Sequence, residues 1–311
     1  MVIFKSGALL LVILGVYALK RLHIFGEHDY KVAQGFAFNL TLPCAIVMSF
    51  ATNKHDMSML WIVLFGFVCA IIPLVLVFLG THREPDKRYR AFTMLASSGL
   101  NLGAFCLPVA QTFMGASAGL PVIMMDIGNA MVATAAALSL TKGLLHMGDS
   151  AAALPMVLRV RNIAHDFVSS LSFDTYMLML ILMFAHVQIP DPIVELVTPF
   201  ANANAFCCMA MIGLMMEVPH ERKDRLTLLK VIAWRTAFSV VIALAAWYIM
   251  PFDLRIREIL TLAALSPITV FATKFADSLT GNAKLAGFSL TVTGVIALAE
   301  MTILHVLLPA V

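Results

Sequence analysis

The sequence predicts an all-α membrane protein of ten transmembrane helices, arranged as two inverted five-helix repeats with the fourth and ninth helices broken. Three observations lead there. The 311-residue chain is 61% hydrophobic and only 13% charged, with a mean hydropathy of +0.92; soluble domains carry about 25% charge, so lipid is part of the solvent here. The apolar residues fall in ten stretches, each near the ~20 residues that cross ~30 Å of hydrocarbon as a helix. The longest polar connection, 142–167, divides those stretches five and five. An odd number per half forces the halves into opposite orientations, the inverted repeat of many secondary transporters.

The stretches follow in order. The first, 2–19, runs into Lys20 and Arg21 rather than a small-residue cleavage site, so it reads as a helix and not a leader. The second, 32–52, holds Asn39 and Pro43 in FNLTLPCAIV, and the third, 57–79, is plainly apolar. The fourth, 90–114, contains SSGLNLGAFCLPVA, where serines, glycines, an asparagine and a proline interrupt the apolar run. Gly99 and Gly103 allow close backbone approach, while Asn101 and Pro108 expose polar groups, which predicts a helix that breaks near mid-membrane. The fifth, 119–141, carries Asp126 with Asn129 one turn later. The sixth is 168–187. The seventh, 192–217, holds Pro199, Asn202 and Asn204 in TPFANANAFCCMAMIGL. The eighth, 226–250, contains Arg235; the ninth, 256–280, contains Pro267, Thr269 and Lys274 in LAALSPITVFATKFADS; the tenth, 283–308, contains Glu300. A proline frees a backbone carbonyl, which lipid tolerates only where that group faces protein, water or a ligand. Pro108 and Pro267 therefore predict paired breaks in the fourth and ninth helices, with the second and seventh as a further pair of matching irregularities. The repeats span 1–150 and 168–311, joined by 151–167.

The loops after the odd-numbered stretches hold fourteen of the 21 Lys and Arg residues, against four on the other side and three within stretches. The positive-inside rule then places those loops in the cytoplasm and both termini outside. Two of the buried cations cost at least ~2.5–3.5 kcal/mol each near a helix centre if unpaired. Lys274 has two readings: an ion pair with Asp277 three residues on, or snorkelling, against a counter-charge for an anionic substrate. Arg235 lies nearer the cytoplasmic end and reads as snorkelling or packing. Asp126 and Glu300 are candidates for Na+ or H+ coupling, or else partners for these cations. The five cysteines lie in apolar stretches without metal or disulfide spacing and read as small apolar residues.

ILGVYALKRLHIFGEHDYKVAQGFAFNLTLPCAIVMSFA resembles the start of auxin efflux carrier family proteins. SSGLNLGAFCLPVAQTFMG is similar to that family's fourth helix, NAFCCMAMIGLMMEV to its seventh and SPITVFATKFA to its ninth. The resemblance runs over the whole chain and implies a ten-helix fold shared with bile-acid sodium symporters, crossed broken fourth and ninth helices, and transport of organic anions. Plant members with long cytoplasmic loops move auxin; the short loop here is like that of bacterial members, some of which carry malonate or malate. Lys274 departs from the apolar residue expected at its position, which leaves the substrate open.

The expected function is a secondary carrier of a small organic anion, by alternating access, in a bacterial inner membrane. Asn101, Pro108, Asn39, Asn202, Pro267, Thr269 and Lys274 are the candidate substrate residues. No cofactor is expected beyond the coupling ion, and no nucleic acid, since the net charge is only +3; the bilayer is the other partner, with a homodimer left open. No Gly-x-Gly-Asp pair and no His-Glu-x-x-His zinc motif is present, which argues against an intramembrane enzyme. The alternatives are a non-transporting receptor and an anion channel.

Overall fold

The computed structural model describes residues 2–53, 56–147, 171–217 and 221–308; the connection 151–167, Arg159, Arg161 and the first residues of the sixth stretch lie outside them. Among the described residues the chain is helical throughout, with no strand. Seven helices there are long and apolar enough to cross a membrane, or eight if the bent pair Lys87–Ser97 and Leu102–Met114 forms one span.

Helix α1 (Val2–Arg21) is followed by α2 (Tyr30–Phe36), which passes through a π turn, Ala37–Thr41, into α3 (Leu42–Ala51). Then come α4 (Leu60–Gly80), α5 (Lys87–Ser97), a π turn at Leu102–Cys106, α6 (Leu107–Met114), α7 (Gly119–Ala130), a π turn at Met131–Ala136 and α8 (Ala137–Leu145). The second half gives α9 (Leu171–Phe184), α10 (Asp191–Met215), α11 (Arg222–Tyr248), α12 (Leu254–Ala264), α13 (Val270–Thr280) and α14 (Ala283–Leu307). Side-chain caps set several starts: Asp86 accepts from Arg88 N at 3.0 Å, Asp253 from Ile256 N at 2.8 Å and Asn282 from Leu285 N at 2.9 Å.

The core centres on α7, whose residues are all buried except the half-buried Asp126. It packs tightly on α4 because each helix presents a glycine to the other's backbone. A Cβ on Gly66 would strike Met125 O, and one on Gly128 would strike Val63 O.

The fourth and ninth stretches are both interrupted, but the break in the fourth is not at Pro108. It lies at 98–101, where Gly99 takes φ +65°, a value that suits glycine, and the flanking segments bend by 51°. Pro108 sits in the first turn of α6, directly after the π turn. There Cys106 N reaches back five residues to Asn101 O at 3.0 Å, and Leu107 N bonds Leu102 O, so the missing proline N–H falls in an already widened turn. Pro43 repeats the arrangement, following the π turn whose next amide, Leu42 N, bonds Ala37 O. Pro199 is likewise absorbed within the continuous α10. Pro267 does lie in a break, the non-helical residues 265–269 between α12 and α13.

Candidate functional site

The two breaks meet. The Asn101 N–H donates to the Pro267 carbonyl at 3.1 Å. Non-helical backbone inside a membrane must find partners for every N–H and C=O, and two side chains supply most of them. Asn129 on α7 accepts from Leu100 N at 2.8 Å through Oδ1 and donates to Leu100 O at 2.8 Å through Nδ2, as a neighbouring strand would. Arg235 on α11 is buried and donates through Nη1 to Ala96 O (3.2 Å) and Gly99 O (2.9 Å), and through Nη2 to Ser266 O and Pro267 O (3.0 Å for the latter). It thus caps the C-terminal ends of both α5 and α12, where helix dipoles leave negative charge. Arg235 was expected to snorkel or pack; its guanidinium instead holds the crossing together.

Beside the crossing lies a cavity of about 210 Å³. The segments Leu102–Met114 and α13 both start at it, so two positive helix ends face it. The substrate candidates Asn101, Thr269 and Lys274 line it, and so do Asp126, Asn129 and Tyr176. Asn101 is 4% exposed and its Nδ2 has no hydrogen-bond partner among the described residues. Thr269 caps α13, accepting from Phe271 N at 3.3 Å. Asp126 Oδ1 accepts from Asn129 Nδ2 at 3.0 Å, and Oδ2 accepts from the Tyr176 hydroxyl at 2.6 Å. Phe38 and Phe271, with ring centroids 6.1 Å apart, form an aromatic wall.

Lys274 is exposed and borders two cavities: this one and a second of about 320 Å³ that also contains Lys20, Lys31, Gln34 and Glu217. Lys20 is engaged there with Glu217 at 3.2 Å and Leu214 O at 2.7 Å. The Asp277 side chain, the competing partner for Lys274, lies outside the described residues. A third cavity, of about 660 Å³, is lined by Phe50, Asn53, Met179, Met183, His186 and Asp191. Helices α3 and α9 run side by side in the same direction, Ser172 Oγ bonding Phe38 O (2.6 Å) near their starts and the third cavity lying at their ends. Tyr176 belongs to the crossing cavity and Met179 to the third, so one helical turn separates two cavities at opposite ends of the seam.

The remaining candidates lie elsewhere. Pro108 is buried in α6, away from the cavity lining, and Pro267 contributes its carbonyl to the crossing. Asn39 and Asn202 are exposed on the outside of their helices. The polar contact between the second and seventh stretches falls two residues further along each: Thr41 Oγ1 donates to the buried Asn204 Oδ1 at 3.0 Å. Glu300 borders a separate cavity of about 20 Å³ with Arg235, Ser266, Pro267 and Thr293. Arg235 and Asn129 carry the crossing; the signal of Arg235 in the sequence was a cation in an apolar helix with no acid at helical spacing to hold it.

One Gly-x-Ser-x-Gly pattern does occur, at 115–119. It joins two helices rather than following a strand, and the Ser117 hydroxyl accepts from Arg255 Nη2 at 2.6 Å. The buried His305–Glu258 pair (2.7 Å) stacks its ring on Phe113, and no hydrogen bond among the described residues joins His305 to Ser117.

No family model matches the chain, and a search of curated proteins finds none similar to it.

Proposed function

We propose that the chain is a secondary carrier for a small organic anion, a carboxylate of the malonate or malate class or an auxin-like acid, that works by alternating access. The observation that carries this reading is the crossing itself. Two interrupted helices meet at Asn101 and Pro267, next to a cavity that holds Lys274, an Asn101 amide nitrogen without a partner among the described residues, and two helix N-termini. Positive helix ends and a lysine suit an anion, and a cavity of about 210 Å³ suits a small one. Each interruption falls in the fourth stretch of its half, which supports ten crossings in two inverted repeats, as in the auxin efflux carrier family. The cavities at the two ends of the α3–α9 seam, separated by the turn from Tyr176 to Met179, supply the two access routes. In this arrangement the basic loops face the cytoplasm of a bacterial inner membrane and both termini face out.

Uptake of mono- and dicarboxylates into vesicles containing the purified chain tests the proposal. A carrier gives saturable flux, a channel gives non-saturating conductance, and a receptor binds without flux; either of the last two results removes the carrier reading.

A further inference from the structure

An anion site built around a carboxylate contains a conflict. Asp126 lines the same cavity as Lys274 and Asn101. When Asp126 is ionised, an incoming carboxylate meets a like charge in surroundings that screen poorly. The hydrogen bonds around Asp126 show how that conflict can be relieved.

Asn129 cannot turn its amide without losing both bonds to Leu100, because Oδ1 accepts from Leu100 N and Nδ2 donates to Leu100 O. Its Nδ2 therefore always presents an N–H to Asp126 Oδ1. That N–H occupies one lone pair of Oδ1, and no partner of Oδ1 among the described residues can accept a proton from it as the Tyr176 hydroxyl can from Oδ2. Oδ2 meets the Tyr176 hydroxyl at 2.6 Å, which can donate or accept, and lies beside the Gly103 backbone.

We propose that Asp126 takes up one proton on Oδ2 together with the anion, and that Tyr176 passes this state to the cavity. With Asp126 ionised, the tyrosine O–H points at Oδ2. With Oδ2 protonated, Oδ2–H donates to Tyr176 Oη, and the tyrosine's own hydrogen turns away from Asp126. Tyr176 lines the cavity, so that hydrogen is then offered to the bound carboxylate. One O–H bond forms as the proton arrives from water on one side, and it breaks when the proton leaves on the other; Tyr176 keeps its proton throughout. Lys274 from α13 lines the same cavity; the Cys106 thiol on the π turn before α6 interacts with Asp126, and the Cys208 thiol on α10 with Tyr176. Arg235 and Glu300 border the separate small cavity. Proton and anion each favour binding of the other, and linkage makes the effect reciprocal.

The inference rests on the carrier reading, and the test keeps the two apart. Vesicles containing the full chain and a trapped pH dye are given malonate, with malate and indole-3-acetate in parallel. The expected result is acidification that depends on the anion, together with accumulation driven by an inside-alkaline pH step, abolished by a protonophore and indifferent to sodium. Asp126→Asn should make exchange independent of pH and abolish anion-dependent acidification. Tyr176→Phe should weaken anion binding about tenfold at acidic pH and far less at alkaline pH. Malonate-induced thermal shifts show that each variant is folded. Flux without acidification, sodium-driven accumulation, or acidification that survives in Asp126→Asn overturns the proton linkage alone. No flux of any of the three anions in the wild type overturns the carrier reading and the linkage with it.

Discussion

Arg235 Nη2 donates to the Pro267 carbonyl at 3.0 Å, the same oxygen that accepts the Asn101 amide at 3.1 Å. One carbonyl therefore joins three segments of chain: the break after α5, the break after α12 and the middle of α11. Arg235→Met would leave the Ala96, Gly99 and Ser266 carbonyls without this donor in a lipid setting. The expected loss is about 3 kcal/mol or more, read as thermal unfolding in detergent. Arg235→Lys should recover only part of it, because a single ammonium lacks the planar fork that reaches both pairs of carbonyls. Wild-type stability in Arg235→Met would show that the crossing does not depend on this side chain.

Gly99 has φ +65°, and a Cβ there would lie 3.2 Å from Ala133 Cβ and 3.3 Å from Thr269 Cγ2. Gly99→Ala therefore combines backbone strain of about 1–2 kcal/mol with crowding at the cavity. It should lower both stability and anion affinity, whereas Gly143→Ala, where nothing lies within 4 Å of the added Cβ, should change neither. Equal behaviour of the two variants would contradict the strained break.

Asn129→Ala removes both partners of Leu100 and one donor to Asp126. Each unpartnered buried polar group costs about 1–3 kcal/mol, so a fall in unfolding temperature is expected. Asn129→Asp should be worse at neutral pH, since it sets a second carboxylate beside Asp126. Acidification should narrow the gap between the two variants; a gap that does not change with pH would point to shape rather than charge.

At the start of α5, Asp86 pairs with Lys223 at 2.7 Å and caps Arg88 N. The Lys223 hydrogen bond holds the Asp86 carboxyl below the usual aspartate range. A lowered folded-state value contributes stability above the unfolded-state pKa, and that contribution is lost as pH falls through the folded-state one. Both partners meet water, so the effect stays under about 1 kcal/mol. Lys223→Met should therefore lower stability near neutral pH by under about 1 kcal/mol, and the difference from the wild type should close as pH falls below about 4. A deficit that persists unchanged at low pH would show that the lysine acts through packing, as its 4.0 Å approach to the Tyr89 ring would allow.

The break at Pro267 and the cavity residues Asn101, Thr269, Lys274 and Asp126 were legible in the sequence. Each is a polar or helix-breaking residue inside an apolar run, and Pro267 also has a counterpart, Pro108, in the matching stretch of the other half. Pro108 misled because proline alone does not specify a break: a π turn upstream can absorb its missing donor, as it also does at Pro43. The real break was marked by Gly99 and Asn101, ahead of the proline. Asn39 and Asn202 lay in the right stretches but on the wrong faces, since two residues along a helix is about 200° of rotation and Thr41 and Asn204 hold the inward positions. Arg235 was misread for a different reason. The partners it holds are carbonyls freed by breaks in two other segments, and they become visible only when those segments meet.

The proposed carrier exposes one site at the crossing alternately to the two sides, which counterflow reads out. Vesicles containing the chain are loaded with unlabelled malonate, malate or indole-3-acetate and diluted into a trace of the labelled anion. The expected result is uptake of label that is faster and transiently higher than in unloaded vesicles, saturates with external anion and is weakened by Lys274→Met. Uptake that rises linearly with concentration and ignores the internal anion would contradict a carrier at this site.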